Sequence, residues 1–226
     1  MFKSIYNLVV CTVAMAGAYT SAAQSTGPFT TSTPIPLSAT DWSGTLSFPQ
    51  FDPSLGILNS VELSFSSTTT TLLTVQNISN LFGPAKPSSG TASSQVQITV
   101  QDGANDLSAP AIVLLSNYAF SLAAGGSVNS GLLTQNASGG NLYTLSAVLS
   151  EFTGTGSISL SASTFTQSGL TYTGGTTFAG LNNVDASLTG TVTYNYTSTT
   201  PTPEPTVMAL AGLSGISLIL FRRYRK

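Results

Sequence analysis

The chain has 226 residues, with eight acidic side chains against six basic ones, a single cysteine and no histidine. That inventory excludes a Ser-His-Asp triad, His-ligated zinc or haem, an internal disulfide and a thiolate metal cluster. Lys86 is the one basic residue between the two ends, which argues against nucleic acid as a partner; and although 34 residues are Ser and 33 are Thr, 41% hydrophobic residues and a mean hydropathy of +0.27 are too apolar for a disordered tract.

Residues 1–23 read as a secretory signal peptide. Lys3 gives the charged start, Leu8 to Ala18 the apolar run, and Ser21-Ala22-Ala23 the small residues behind which signal peptidase cuts. The competing reading, an uncleaved anchor, calls for a longer apolar run. Cys11 is not a lipidation site: it lies in mid-run, and Val10 stands where a lipobox has Gly or Ala. Cleavage after Ala23 leaves a mature chain without a thiol.

Residues 24–196 alternate. Val61, Leu63 and Phe65 interleave with Glu62, Ser64 and Ser66; Val96, Ile98 and Val100 with Gln97, Thr99 and Gln101; Val192, Tyr194 and Tyr196 with Thr193 and Asn195. Period two predicts half-buried strands, with Val61, Leu63, Phe65, Val96, Ile98, Val100, Val192 and Tyr194 facing inward and the hydroxyls facing water. Gly44, Pro49, Pro53 to Gly56, Gly83-Pro84, Asp102-Gly103, Gly125-Gly126, Gly139-Gly140 and Gly174-Gly175 are expected to cut the chain into strand-length pieces. No stretch reads as an amphipathic helix of three turns. The predicted fold is therefore all-β: a single antiparallel β-sandwich of about seven to ten strands, Greek-key or jelly-roll-like. A β-helix is the structural rival, but no fixed-period repeat supports it.

Two stretches of this body carry a resemblance. Phe48-Pro-Gln-Phe-Asp-Pro-Ser-Leu-Gly-Ile-Leu-Asn-Ser-Val-Glu-Leu63 resembles the opening of the choice-of-anchor E domain, and Phe152-Thr-Gly-Thr-Gly-Ser-Ile158 resembles a later strand entry of that family. With Phe120 to Gly126 between them, the likeness spreads over most of residues 45–196. It implies an extracellular module attached to varied anchoring tails, with no catalytic residue.

The body offers few site candidates. Its seven acids, Asp41, Asp52, Glu62, Asp102, Asp106, Glu151 and Asp185, stand against Lys86 alone, a formal charge of −6. Asp102, Asn105 and Asp106 could supply three oxygens to calcium, although Asp-Gly and Asn-Asp are also ordinary turn chemistry. Trp42 could stack on a sugar or anchor a strand edge, and Tyr143, Tyr172, Tyr194 and Tyr196 could form a carbohydrate platform or simply be strand residues. The sequons at Asn77, Asn136 and Asn195 read as chance in a chain of this composition.

The C-terminus changes character three times. Residues 197–202 are a charge-free Thr/Pro spacer, Pro203-Glu204-Pro205 follows, Val207 to Phe221 carries no charge, and Arg222, Arg223, Arg225 and Lys226 close the chain. As a helix the apolar segment reaches roughly 22 Å, short of a hydrocarbon core of about 30 Å, a gap that snorkelling Arg side chains reduce. The basic cluster predicts that this end stays cytoplasmic while the body faces outward. Residues 203–226 resemble the PEP-CTERM sorting signal of Gram-negative bacteria. That resemblance implies recognition by an exosortase, with Pro203, Glu204 and Pro205 as the sorting motif and the four basic residues as a stop-transfer tail.

These readings predict an exported surface or extracellular-matrix protein that is transiently anchored in the inner membrane by its C-terminal helix. Its β-sandwich is expected to be structural or adhesive rather than enzymatic, with no cofactor. The expected partners are signal peptidase, the exosortase, the inner membrane and exopolysaccharide, and no nucleic acid. The alternatives are a carbohydrate-binding module, calcium-dependent or not, and a polysaccharide-active enzyme. The latter needs two carboxylates placed across a glycosidic bond, and the sequence selects no such pair.

Overall fold

The structure is a computed structural model that describes residues 23–31, 33–102, 107 and 112–198. The signal peptide up to residue 22, Gly103 to Asp106, the chain beyond Ser198, and with it the Pro-Glu-Pro motif, apolar span and basic tail, lie outside the described residues.

Strands dominate the described chain. They are β1 (Ala23–Ser25), β2 (Phe29–Thr30), β3 (Ile35–Ala39), β4 (Ser43–Pro49), β5 (Gly56–Asn77), β6 (Ser88–Gln101), β7 (Ile112–Leu122), β8 (Ser127–Tyr143), β9 (Ser157–Gly174) and β10 (Thr177–Ser198). Helix is confined to a 3-10 turn at Pro53–Leu55, α1 (Ser79–Phe82) and α2 (Ser146–Glu151). No helix among the described residues is long and apolar enough to cross a membrane.

One sheet runs in the order β1-β10-β5-β8, with β2 and β3 also paired to β10; the other runs β4-β9-β6-β7. Every ladder is antiparallel. The expected antiparallel pairing has one exception, an isolated parallel bridge between Phe51 and Thr153. Side chains from both sheets share one apolar cluster, which makes the two sheets the layers of a sandwich. All eight residues predicted to face inward are buried.

Two of the expected breaks are not breaks. Gly44 lies inside β4, and Gly139-Gly140 lies inside β8. Their role is room rather than turning. Phe65 is flanked in register by Gly139 of β8 and Gly190 of β10, so both neighbouring strands are bare on the face where its ring lies. A Cβ on Gly190 would stand 2.7 Å from the Phe48 ring and 3.0 Å from that of Phe65. The true turns use glycine differently: Gly125 (φ +74°) between β7 and β8 and Gly174 (φ +95°) at the end of β9 occupy backbone that L side chains avoid.

The sandwich has two poles. Ala23 of β1 pairs with Thr197 of β10, and Ser198 pairs with Gly56 at the start of β5, so both ends of the described domain leave from one pole, with α2 and the 3-10 turn. The opposite pole carries α1 with the loop to β6, the β7–β8 turn and the β9–β10 turn.

The interior is apolar at both poles and hydroxylic between them. The large cluster, including Leu46, Phe48, Val61, Leu63, Phe65, Leu188 and Tyr194, fills the pole where the chain leaves. A smaller one, Leu73, Val75, Ala92 and Phe120, fills the other. Between them the inward positions of β5 are Ser67, Thr69 and Thr71, facing Ser94 of β6 and Ser116 of β7, and all five are buried. Ser67 Oγ donates to the Ser187 carbonyl at 2.6 Å, whereas Ser94 Oγ and Thr166 Oγ1 have no partner among the described residues.

Two outcomes follow for denaturant unfolding. Phe65→Ala removes a ring packed edge-on to Phe48 at 6.4 Å and lowers the unfolding free energy by about 3–5 kcal/mol; a loss under about 1 kcal/mol contradicts the inward face. Ser94→Ala removes a buried hydroxyl that bonds to nothing and raises stability by about 1 kcal/mol; a loss of stability contradicts the bare hydroxyl.

Candidate functional site

The two stretches that carry the choice-of-anchor resemblance meet at the pole where the chain leaves. Phe48 pairs with Ile158 and Pro49 with Ser157 where β4 runs beside β9. Past the strand ends the Gln50 amide donates to the Gly156 carbonyl at 3.0 Å, Phe51 to Phe152 at 2.7 Å and Gly154 to Phe51 at 2.9 Å. The Gln50 side chain completes the clasp: Nε2 donates to the Glu151 carbonyl at 2.8 Å, and Oε1 accepts from the Gly156 amide at 3.2 Å. Gly154 is small because a Cβ there would stand 2.5 Å from Gln50 Oε1.

The aromatic residues of this pole belong to the core. Tyr194 is fully buried, its ring 5.7 Å from Phe51 and 6.3 Å from Phe152, and its hydroxyl donates to the Pro49 carbonyl. Tyr196 packs tilted against Phe51 at 5.1 Å, Tyr143 is buried, and Tyr172 stands far off at the opposite end of β9. The tyrosine platform is therefore not assembled. Trp42 is half-buried and donates through Nε1 to the Ala186 carbonyl at 3.2 Å, the strand-edge anchor of the two readings. Asn77 is fully buried, so its sequon is closed in the folded chain.

Of the calcium candidates, Asn105 and Asp106 lie outside the described residues. Asp102 follows β6, is 5% exposed, and neither carboxylate oxygen has a hydrogen-bond partner among the described residues. Beside it lies Tyr143, whose hydroxyl is also unpartnered. Among the described residues no group of three or more acidic, His or Cys side chains could hold a metal ion.

A site that the sequence reading missed lies on the outer face of the second sheet. Ser43, Gly44 and Thr45 of β4, Ser161, Ala162 and Ser163 of β9, and Thr99 and Gln101 of β6 line an open groove of about 310 Å³. Phe165 stands two residues along β9 from Ser163, in register with Gln97, and is 63% exposed. The signal was present: apolar residues occupy even positions from Ile158 to Ala162, and Phe165 breaks that phase. Hydroxyls, an amide and a bare ring can hydrogen-bond and stack on a sugar, and none of these groups titrates near neutrality.

No family model matches this chain, and no curated protein does. Among solved structures the chain is similar to one from the crystal structure of the T13 IBDV viral particle, at 13% identity and a TM-score of 0.15. The alignment covers 88% of this chain and 47% of the other, so the chain spans about half the length of that relative, and a likeness so slight carries no argument.

Burial raises the pKa of Tyr194 far above the ordinary phenol value. Burial also raises that of Tyr143, where the charge of Asp102 adds to the shift and the nearby Asn141 side chain opposes it. Below about pH 10 both tyrosines are protonated in folded and unfolded chains alike, so they add no pH dependence there. Above it the unfolded chain loses their protons first, and stability falls as pH rises. Ultraviolet titration should show Tyr194 ionising only as the fold is lost, with Tyr143 displaced upward in the same direction; reversible titration of Tyr194 in the folded protein at the ordinary phenol value contradicts this.

Proposed function

We propose that this is an exported protein of a bacterial surface or extracellular matrix, with a structural or adhesive β-sandwich sorted by an exosortase through residues 203–226. The observation that carries the reading is the pairing of Gln24 with Tyr196 and Ser25 with Asn195, which sets the first residues left by a cut after Ala23 beside the last strand. A cut after Ala23 and a tether beyond Ser198 then both fall at one pole, and the sheet faces and the other pole are left clear of the membrane. The motif, span and basic cluster in their order support the sorting step. The clasp between residues 48–51 and 151–157 supports the choice-of-anchor E resemblance, because it joins the two stretches that carry it.

The strand order supports a finer description of the fold. With β1, β2 and β3 taken as one interrupted edge strand, each sheet has four strands, and the chain passes between sheets in the order of a jelly roll, an architecture used by lectin domains. That, and the hydroxyl groove beside Phe165, favour a second reading in which the sandwich binds neutral carbohydrate on its β4-β9-β6 face.

Fractionation of the native host with and without its exosortase, with mass spectrometry of the protein's termini, tests the main reading. The expected mature chain begins at Gln24 and lacks the apolar span and basic tail. Glu204→Ala, or Ser at Arg222, Arg223, Arg225 and Lys226, should leave uncleaved or misoriented precursor at the inner membrane. If protein ending at Lys226 is the sole species in cells with an active exosortase, the sorting function is wrong.

A further inference from the structure

The pole opposite the chain ends presents large apolar residues to water, two on α1 in the tightly held β5–β6 connection and one at the start of β10. Leu81 is 67% exposed, Phe82 77% and Phe178 63%. A loose loop could fold such residues away, but this one is pinned from beneath. Buried Asn77 donates through Nδ2 to the Lys86 carbonyl at 2.8 Å, and its Oδ1 accepts from the Ser79 amide at 3.1 Å. Buried Ser79 donates through Oγ to the Lys86 carbonyl at 2.9 Å and accepts from the Lys86 amide at 3.2 Å. The Ile78 amide donates to Thr176 at 2.8 Å and the Gly175 amide to Pro87 at 2.9 Å, which ties the loop to the β9–β10 turn. A Cβ on Gly175 would collide with the Lys86 carbonyl and stand 2.7 Å from Ser79 Oγ, so the two loops lie backbone to backbone. Between them Phe82, Gly83, Pro84, Lys86, Gly174 and Thr176 border a hollow of about 160 Å³.

Charge is distributed to match. Lys86, exposed, is the only cation of the body. No acid occurs in residues 63–101, 112–150 or 152–184, which include every segment of this pole. Asp52, Glu62, Asp102 and Glu151 lie toward the other end. The body is thus positive at its free pole and acidic at the pole where the chain leaves.

We propose that this free pole binds an anionic polysaccharide, with Phe82 stacking on the C–H face of a sugar ring and the Lys86 ammonium pairing with a uronate carboxylate. Rings packed on apolar C–H surface and a cation on carboxylate are the two contacts such a residue requires. The inference draws its ligand class from the surface-protein reading, but it is measured on purified protein and is independent of whether the chain is sorted.

The test is calorimetric titration of the full chain, in a nonionic detergent, with a galacturonic acid oligomer and with its methyl ester. The acid should bind and the ester should bind at least about tenfold more weakly. Phe82→Ala should weaken the acid by at least about tenfold. Lys86→Gln should bring acid and ester to equal affinity and flatten the salt dependence. Both variants should melt as the parent does, because both side chains are exposed. Leu142→Ala, at an exposed position of β8 paired with Glu62 toward the other pole, should bind the acid unchanged, while Phe165→Ala reports on the sheet groove. Failure of the parent to bind the acid, equal binding of acid and ester, or loss confined to Phe165→Ala overturns the assignment. Concentration-dependent self-association abolished by Phe82→Ala also overturns it, by making the pole a contact between copies.

Discussion

The pairing of β5 with β10 is the constraint on which the rest of the molecule depends. Each strand has 22 residues and each is central in its sheet, so one ladder runs the full length of the sandwich, roughly 70 Å. Its register decides which face of each strand is inside, and a slip by one residue would turn Leu63, Phe65, Val192 and Tyr194 outward together. Phe65 supplies part of the specification: its ring needs a bare position on both flanks, and only the observed register sets Gly139 and Gly190 there. The shift between Asn182 and Asp185, where Asn183 takes φ +50°, absorbs one residue and allows both halves of so long a ladder to keep their apolar faces inward. Because the partners lie a hundred residues or more apart in sequence, this ladder closes a large loop and belongs to a slow-folding topology.

Much of this fold was legible residue by residue. The alternations at 61–65, 96–100 and 192–194 identified strands and their buried faces, because a half-buried strand has no other way to satisfy its two surfaces. Glycine was harder to read. Gly125-Gly126 turns the chain and Gly139-Gly140 does not, and the difference lies in what stands across the strand, Phe65, which is remote in sequence. The hydroxyl layer was hidden for a related reason. Ser67, Thr69 and Thr71 look like an exposed face, and they are interior only because the opposite sheet is long enough to cover them.

The functional surfaces were less legible, since they are defined by position in the fold. Leu81-Phe82 sits just before the Gly83-Pro84 break, where nothing in the sequence says whether the two side chains turn in or out. Only the hydrogen bonds of Asn77 and Ser79 to Lys86 show that those side chains are held outward. Trp42 and the tyrosines, by contrast, drew attention by type, and most proved to be structural: aromatic rings fill the pole with α2 because that pole has the deeper core. Asp102 was noticed for its neighbours in sequence, whereas its unusual property is burial beside Tyr143 with no donor for either oxygen among the described residues.

The scarcity of charge gives weight to where the few charges lie. In a chain with 6% charged residues, surface polarity comes from hydroxyls, which hydrogen-bond to water without long-range fields. Each charge is then felt against a weak background and acts over about a Debye length, some 8–10 Å at moderate salt. The acids at the pole where the chain leaves repel one another and any acidic surface nearby. Lys86 at the far pole has no acid within its stretch of chain to neutralise it. The rigid loop that carries it also carries the two most exposed large apolar side chains of the described domain, Phe82 and Leu81. Exposed apolar area, fixed backbone and unopposed charge converge at one end of a long sandwich, and both ends of the described chain leave from the other.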